Sequence, residues 1–88
     1  MKASFIIPSF NCAAFLAHAI ESAQKQTYEN IEIIVVDDGS TDSTRKLMEF
    51  KVKSDLRINY IRLPKNFGRS EARNIGNKAA TGDFIMVL

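Results

Sequence analysis

Ile31-Glu32-Ile33-Ile34-Val35-Val36-Asp37-Asp38-Gly39-Ser40-Thr41-Asp42 decides how this chain folds. Its first half is a near-continuous β-branched run, the pattern of a strand covered on both faces within a parallel sheet. The Asp-Gly step that ends the run is also a hairpin signal, but the residues after it do not alternate apolar with polar. Leu47, Met48 and Phe50, with charges between them, follow a helical pattern instead. The stretch therefore reads as strand, polar turn, helix, with Ser40 or Thr41 as the helix cap and Asp42 in the first turn, where a negative charge suits the helix dipole.

The same unit repeats on either side. Upstream, Ala3-Ser4-Phe5-Ile6-Ile7-Pro8 is a short buried strand stopped by Pro8, and Asn11 stands where a helix N-cap belongs. From Ala14, the residues Phe15, Leu16, Ala19, Ile20 and Ala23 recur at helical spacing as far as Gln26-Thr27. Downstream, Ile58-Asn59-Tyr60-Ile61-Arg62-Leu63 closes at Pro64. The loop Lys65-Asn66-Phe67-Gly68-Arg69 then leads to a helix over 70–80 whose inner face is Ala72, Ile75, Gly76 and Ala79. Gly82 is the expected stop, and Asp83-Phe84-Ile85-Met86-Val87-Leu88 a fourth strand. Met48, Phe50 and Met86 read as packing residues. Strand-helix alternation predicts an α/β domain: an open, mainly parallel, Rossmann-like sheet with right-handed crossovers and helices on both faces.

Composition narrows the function classes. The chain has 88 residues, enough for one domain, with 45% hydrophobic and 25% charged residues. Twelve Lys and Arg against ten Asp and Glu leave a formal charge of +2, too small a surplus to argue for nucleic acid or an anionic membrane. A single cysteine excludes an internal disulfide framework and suits a reducing, cytoplasmic compartment. Cys12 reads as a small buried thiol, and His18, without ligand-spaced partners, as a surface residue. The apolar runs at 5–7, 33–36 and 84–88 fall far below the ~20 residues a membrane helix needs. Pro8 and Asn11 interrupt the first of these runs, so it is no signal peptide.

In open sheets of this class, ligands bind beyond the carboxyl ends of the strands, which points to residues 8–11, 37–42 and 64–69. The first of these loops, Pro8-Ser9-Phe10-Asn11-Cys12, has no Gly-x-Gly-x-x-Gly, and no P-loop run occurs anywhere in the chain. What remains is the acidic pair Asp37-Asp38. Two carboxylates can solvate a turn and cap the next helix; alternatively one can accept hydrogen bonds from a base N–H or sugar hydroxyls, since an ionised carboxylate only accepts. Arg69 and Arg73, beside Glu71, divide in the same way between a solvated helix face and a rigid fork of donors for a diphosphate.

Four segments taken in order resemble the N-terminal half of GT-A glycosyltransferases of family 2: Phe5-Ile6-Ile7-Pro8-Ser9-Phe10-Asn11; Ala19-Ile20-Glu21-Ser22-Ala23-Gln24-Lys25-Gln26-Thr27; the stretch 31–42; and Asn66-Phe67-Gly68-Arg69-Ser70-Glu71-Ala72-Arg73-Asn74-Ile75-Gly76. The resemblance covers all 88 residues. It implies the nucleotide-binding part, incomplete, of an inverting transferase that uses a nucleotide-diphosphate sugar, UDP-linked by the family's usual preference. Pro8, Ser9, Phe10 and Asn11 would line the base and ribose pocket, with Asp38 reading the base and Asp37 its structural neighbour. Gly68, Arg69 and Arg73 would lie beside the nucleotide. A divalent cation, Mg²⁺ or Mn²⁺, is implied for the parent enzyme, with its Asp-x-Asp ligands and the general base beyond Leu88. Any membrane attachment would likewise lie in other parts of the parent chain.

The competing reading is a non-catalytic α/β binding or interaction module. A phospho-acceptor receiver domain fits less well, because its acidic pair follows the first strand and here a full strand-helix unit precedes Asp37. The family's strand order, third-second-first-fourth, would leave strand 83–88 at an edge with five consecutive apolar side chains, a template for self-association.

Overall fold

The computed structural model describes residues 1–26 and 28–88. Four strands, β1 (Ala3–Ser9), β2 (Ile31–Asp37), β3 (Ile58–Arg62) and β4 (Phe84–Val87), alternate with three helices, α1 (Ala13–Gln24), α2 (Thr44–Ser54) and α3 (Arg69–Ala79). The strands form one sheet in the order β3-β2-β1-β4, every pair parallel, as the sequence led us to expect. Chain direction explains how the helices divide. The steps β1 to β2 to β3 run one way across the sheet, so right-handed crossovers put α1 and α2 on the same face. The step β3 to β4 jumps back past β1, which puts α3 on the other.

Each face has its own core. Phe5, Ile7, Ile33 and Val35 pack under Leu16, Ile20, Ala23 and Met48. Ile34 and Val36 pack with Leu63 under Ala72, and Ile75 and Ala79 border that cluster. Gly76 lets α3 settle on the sheet, because a Cβ there would collide with the Ile6 side chain.

Several local expectations change. Pro8 does not stop the first strand; it sits inside β1 opposite Val36. Odd-numbered residues of β1 bond toward β2 (Asp38 N–H to Ser9 O) and even-numbered ones toward β4 (Leu88 N–H to Ile6 O). The missing Pro8 N–H therefore faces the β4 side, where pairing has already ended at Ile6–Val87. Helix α1 ends at Gln24 rather than near Gln26, and the Thr27 part of that expectation lies outside the described residues. Gly82 does not terminate α3, whose C-cap is Ala80. It is a close-approach glycine: a Cβ would stand 2.5 Å from Ser4 Oγ and 2.9 Å from Lys2 O. Phe15 is the exposed member of the α1 stripe, at 62%, and of Met48, Phe50 and Met86 only Met48 is buried, the other two being exposed at 67% and 51%. Cys12 is exposed rather than buried.

The caps differ as well. Asn11 does not cap α1; the N-cap position is Cys12, with no side-chain bond. Neither Ser40 nor Thr41 caps α2, and Asp42 lies before the helix, accepting from the N–H and hydroxyl of Thr44. The Thr44 hydroxyl is the main reason the Asp42 carboxyl is held below its ordinary pKa. Among the described residues no helix is long and apolar enough to cross a membrane.

A cleft at the carboxyl ends of the strands

The reversal of strand order at β1 leaves a gap between the loops at the carboxyl end of the sheet. A cleft of about 350 Å³ opens there, lined by Pro8, Ser9, Phe10, Cys12 and Phe15 from the first unit, Asp38 from the second, and Asn66, Gly68, Arg69 and Ala72 from the third. It is of the size that takes a small organic ligand. The Ser9 side chain is its most telling atom. Ser9 is 7% exposed, and its Oγ has no hydrogen-bond partner among the described residues. A buried hydroxyl at a cleft wall without a partner costs free energy that a ligand can recover.

The two adjacent aspartates divide the support of the cleft between them. Asp37 is fully buried and accepts from Tyr60 OH, from Arg62 Nη1 at 3.1 Å and from Ser40 N–H at 2.9 Å. Burial first, and the bond to Asp37 second, push the Tyr60 hydroxyl up to about 12. Arg62 is raised in turn, chiefly by its contact with Tyr60. Asp37 thus fixes the β2–α2 turn from below. Asp38, 3% exposed, faces the other way and accepts the N–H groups of Phe67 at 2.8 Å and Gly68 at 3.0 Å, one on each oxygen. Those bonds draw the β3–α3 loop over the sheet. Gly39 permits this approach: its φ is +77°, and a Cβ would stand 2.6 Å from the Lys65 carbonyl carbon.

Helix α3 begins at the cleft. Gly68 is its N-cap, with a φ of +101° and no side-chain cap, so first-turn N–H groups and the positive end of the helix dipole lie near the lining residues Gly68 and Arg69. Arg69 is exposed and has no ion-pair partner among the described residues. Phe10 and Phe67, exposed at 44% and 48%, belong to the two flanking loops.

Of the residues singled out in the sequence, the cleft gathers Pro8, Ser9, Phe10, Asp38, Gly68 and Arg69. Asn11 is not among the lining residues; its side-chain oxygen accepts Thr41 N–H at 2.7 Å and Asp42 N–H at 3.3 Å. Arg73 lies one helical turn beyond Arg69, exposed and outside the lining. The sequence reading missed Cys12 and Phe15; Asn66 and Ala72 fall within the loop and helix start that it pointed to without being singled out. Cys12 and Phe15 were legible as a pair, because a spacing of three places both on one side of a helix beginning near residue 13.

The arrangement does not fit a metal ion. Among the described residues no three His, Cys, Asp or Glu side chains group closely enough to hold one. Asp37, Asp38 and Asp42 are each bound to neighbouring donors instead.

The model of the family described as Glycosyl transferase family 2 matches residues 4–88. An uncharacterized glycosyltransferase of Haemophilus influenzae is 40% identical over 85 residues, covering 97% of this chain and 34% of that protein. Glycosyltransferase GlyG of Streptococcus pneumoniae is 35% identical over 85 residues, 97% of this chain and 28% of that protein. The chain therefore spans about a third or less of the length of these relatives. Among solved structures, S. aureus TarS 1-349 in complex with UDP superposes with a TM-score of 0.89 at 33% identity, over 100% of this chain and 27% of that one. The mannosyltransferase PcManGT of Pyrobaculum calidifontis shares the fold, with a TM-score of 0.85 at 23% identity over 94% of this chain and 25% of that one.

Proposed function

This chain belongs to glycosyl transferase family 2, and on that premise we propose that it forms the nucleotide-binding part of an inverting transferase whose donor is a UDP-sugar. The cleft is the donor's nucleotide site. The observation that carries this reading is the pairing, in one cleft, of an unpartnered buried Ser9 Oγ with a carboxylate, Asp38, that has acceptor capacity to spare. Each Asp38 oxygen uses one lone pair on a backbone N–H, which leaves room for the N–H of a pyrimidine. Phe10 offers a ring face at the rim, and Pro8 and Ser9 form the wall for base and ribose. The uncapped start of α3, with Arg69, suits the diphosphate. The likeness to TarS, a chain solved with UDP, supports the same ligand.

The leaving diphosphate of such a reaction takes a divalent cation, Mg²⁺ or Mn²⁺, to offset its developing charge. Among the described residues there is no ligand set for it, and we assign its ligands and the general base to the parent chain outside them. The segment alone should bind nucleotide and transfer nothing. Calorimetric titration with UDP tests the reading. Asp38→Asn, which turns an amide donor toward partners that need an acceptor, should weaken binding by roughly ten- to hundredfold, or ~1.5–3 kcal/mol. Glu32→Gln, at the amino end of the sheet beside Ser4, should leave it unchanged. Absence of UDP binding, or equal loss in both variants, overturns the assignment; metal-dependent sugar transfer by the segment overturns its incompleteness.

A further inference from the structure

Asn11 sits between the cleft and the acidic turn and touches both loops. Its backbone is in the left-handed region, with a φ of +50°, the one non-glycine residue so placed among the described residues. Asparagine tolerates that conformation better than most side chains. What holds it there is a two-way exchange with the turn after β2. The Asn11 N–H donates to Ser40 Oγ at 2.9 Å, while the Asn11 side-chain oxygen accepts Thr41 N–H at 2.7 Å and Asp42 N–H at 3.3 Å. Two residues further on, Ala13 N–H donates to Asp42 Oδ2 at 3.2 Å. The β1–α1 loop, at Asn11, and the first residue of α1 are therefore both bonded to the β2–α2 turn.

That turn is itself fixed from the buried side. Ser40, 2% exposed, donates its N–H to Asp37 Oδ1 at 2.9 Å and accepts Arg62 Nη1 at its carbonyl at 3.2 Å. A continuous set of hydrogen bonds thus runs from Tyr60 and Arg62 on β3 through Asp37 and Ser40 to Asn11. Phe10 and Cys12, the residues on either side of Asn11, both line the cleft. A shift of Asn11 moves both.

We propose that Asn11 is a positioning residue: through its bonds to Ser40, Thr41 and Asp42 it sets the Phe10 and Cys12 wall of the cleft, without itself touching the ligand. This rests on the nucleotide reading above only for the identity of the ligand. The proposal departs from the sequence expectation that Asn11 contacts the nucleotide, and the two make different forecasts. If Asn11 acts through its side-chain oxygen on the turn, a carboxylate serves in its place; if it acts through its amide N–H₂ on the ligand, a carboxylate fails.

The experiment uses the 88-residue chain with three substitutions. Asn11→Gly keeps the left-handed backbone and removes the oxygen, Asn11→Asp keeps an acceptor, and Ser40→Ala removes the acceptor of the Asn11 N–H. Amide hydrogen exchange at Thr41 and Asp42 reads the bridge with no ligand present, and titration with UDP reads the cleft. In Asn11→Gly those two amides should exchange about tenfold faster and UDP affinity should fall by about tenfold. Asn11→Asp should restore both, and Ser40→Ala should show a smaller loss of the same kind. Unchanged exchange in Asn11→Gly overturns the bridge. Faster exchange with unchanged affinity overturns its effect on the cleft, and loss of affinity in Asn11→Asp equal to that in Asn11→Gly overturns positioning in favour of direct contact. If the unaltered chain binds no UDP, the ligand assignment fails, and the exchange data still decide the bridge.

Discussion

β1 has two neighbours that look alike in sequence and differ in almost everything else. β2, with Ile33 to Val36, and β4, from Phe84 to Val87, each carry four consecutive apolar residues, and they pair in parallel to opposite edges of the same strand. In β2, Ile33, Ile34, Val35 and Val36 are all 0% exposed, while residues 84–88 of β4 and its end are exposed at 37% to 54%. β2 lies between two strands with helices over both faces; β4 is the last strand in the order, and its residues join neither buried cluster. The end of β2 carries Asp37 and the residue after it is Asp38, the two aspartates that support the cleft, whereas β4 contributes no lining residue. An apolar run encodes the capacity to be buried, and the elements around it decide whether that capacity is used.

Truncation of one isoleucine in each strand, both on the α3 side of the sheet, should show the difference most strongly. Ile34→Ala removes a fully buried side chain beneath α3 and should destabilise the fold by ~2–5 kcal/mol, the range for large-to-small core changes. Ile85→Ala, at a position 48% exposed, should cost less than about 1 kcal/mol. Chemical denaturation of the two variants measures both, and equal costs would mean that β4 is covered after all.

The end of β2 can be broken next. Asp37→Asn places an amide donor among Tyr60 OH, Arg62 and Ser40 N–H, leaving at least one of them unpaired, for a loss of ~1–3 kcal/mol. The Arg62 share of that loss is small, because its side chain is 37% exposed and its pairing is screened by solvent. Thermal unfolding checks the size, and a loss of UDP affinity beyond what unfolding explains would show that the anchor also serves the cleft.

A smaller effect of the same anchor should appear at high pH. The Tyr60 hydroxyl is raised from 10 to about 12 in the folded chain, so the neutral phenol is the form that folding favours. Its contribution is complete below pH 10 and is lost as pH rises through about 12. Urea unfolding across that range should show declining stability that Tyr60→Phe largely removes; the same slope in both chains would assign the decline elsewhere.

This contrast also explains what could be read from the sequence. The alternation of strands and helices and the parallel sheet follow from local pattern and handedness, and both were legible; the strand order came with the family resemblance. The Asp37-Asp38 turn was also legible as a place where chemistry gathers. The division of labour between the two aspartates was only half legible, because it depends on which backbone N–H groups the β3–α3 loop brings to Asp38, a contact spanning 29 residues in sequence for Phe67. The roles of Asn11, Gly82 and Cys12 were misread for a related reason. Capping, stopping and burial are local inferences, but Asn11 is bonded to a loop 30 residues away and Gly82 is pressed against Ser4 across the sheet.

The weakest expected effect is association through β4. As the terminal strand of the order β3-β2-β1-β4, it has an outer backbone edge unpaired among the described residues. The opposite edge strand, β3, carries the exposed polar residues Asn59 and Arg62, which discourage another chain from adding to it. β4 has no Lys, Pro or bulge; Phe84 and Met86 stand on the α1–α2 side and Ile85 and Val87 on the α3 side, as their pairing with Ala3, Phe5, Ser4 and Ile6 dictates. A second copy pairing edge to edge would cover part of both rows. Full burial of such a side chain is worth about 1.5–3 kcal/mol, but these are already half buried and edge pairing covers only a fraction of the rest. Association also costs an estimated ~4–15 kcal/mol in lost translational and rotational freedom, so the net result should be a weak, concentration-dependent dimer rather than a tight one. Light scattering over a wide concentration series should show the mass rising with concentration, and Ile85→Lys, which puts a charge on the exposed row, should abolish the rise. A monomer at every concentration, with the β4 amides protected from exchange, would mean that the edge is satisfied within one chain.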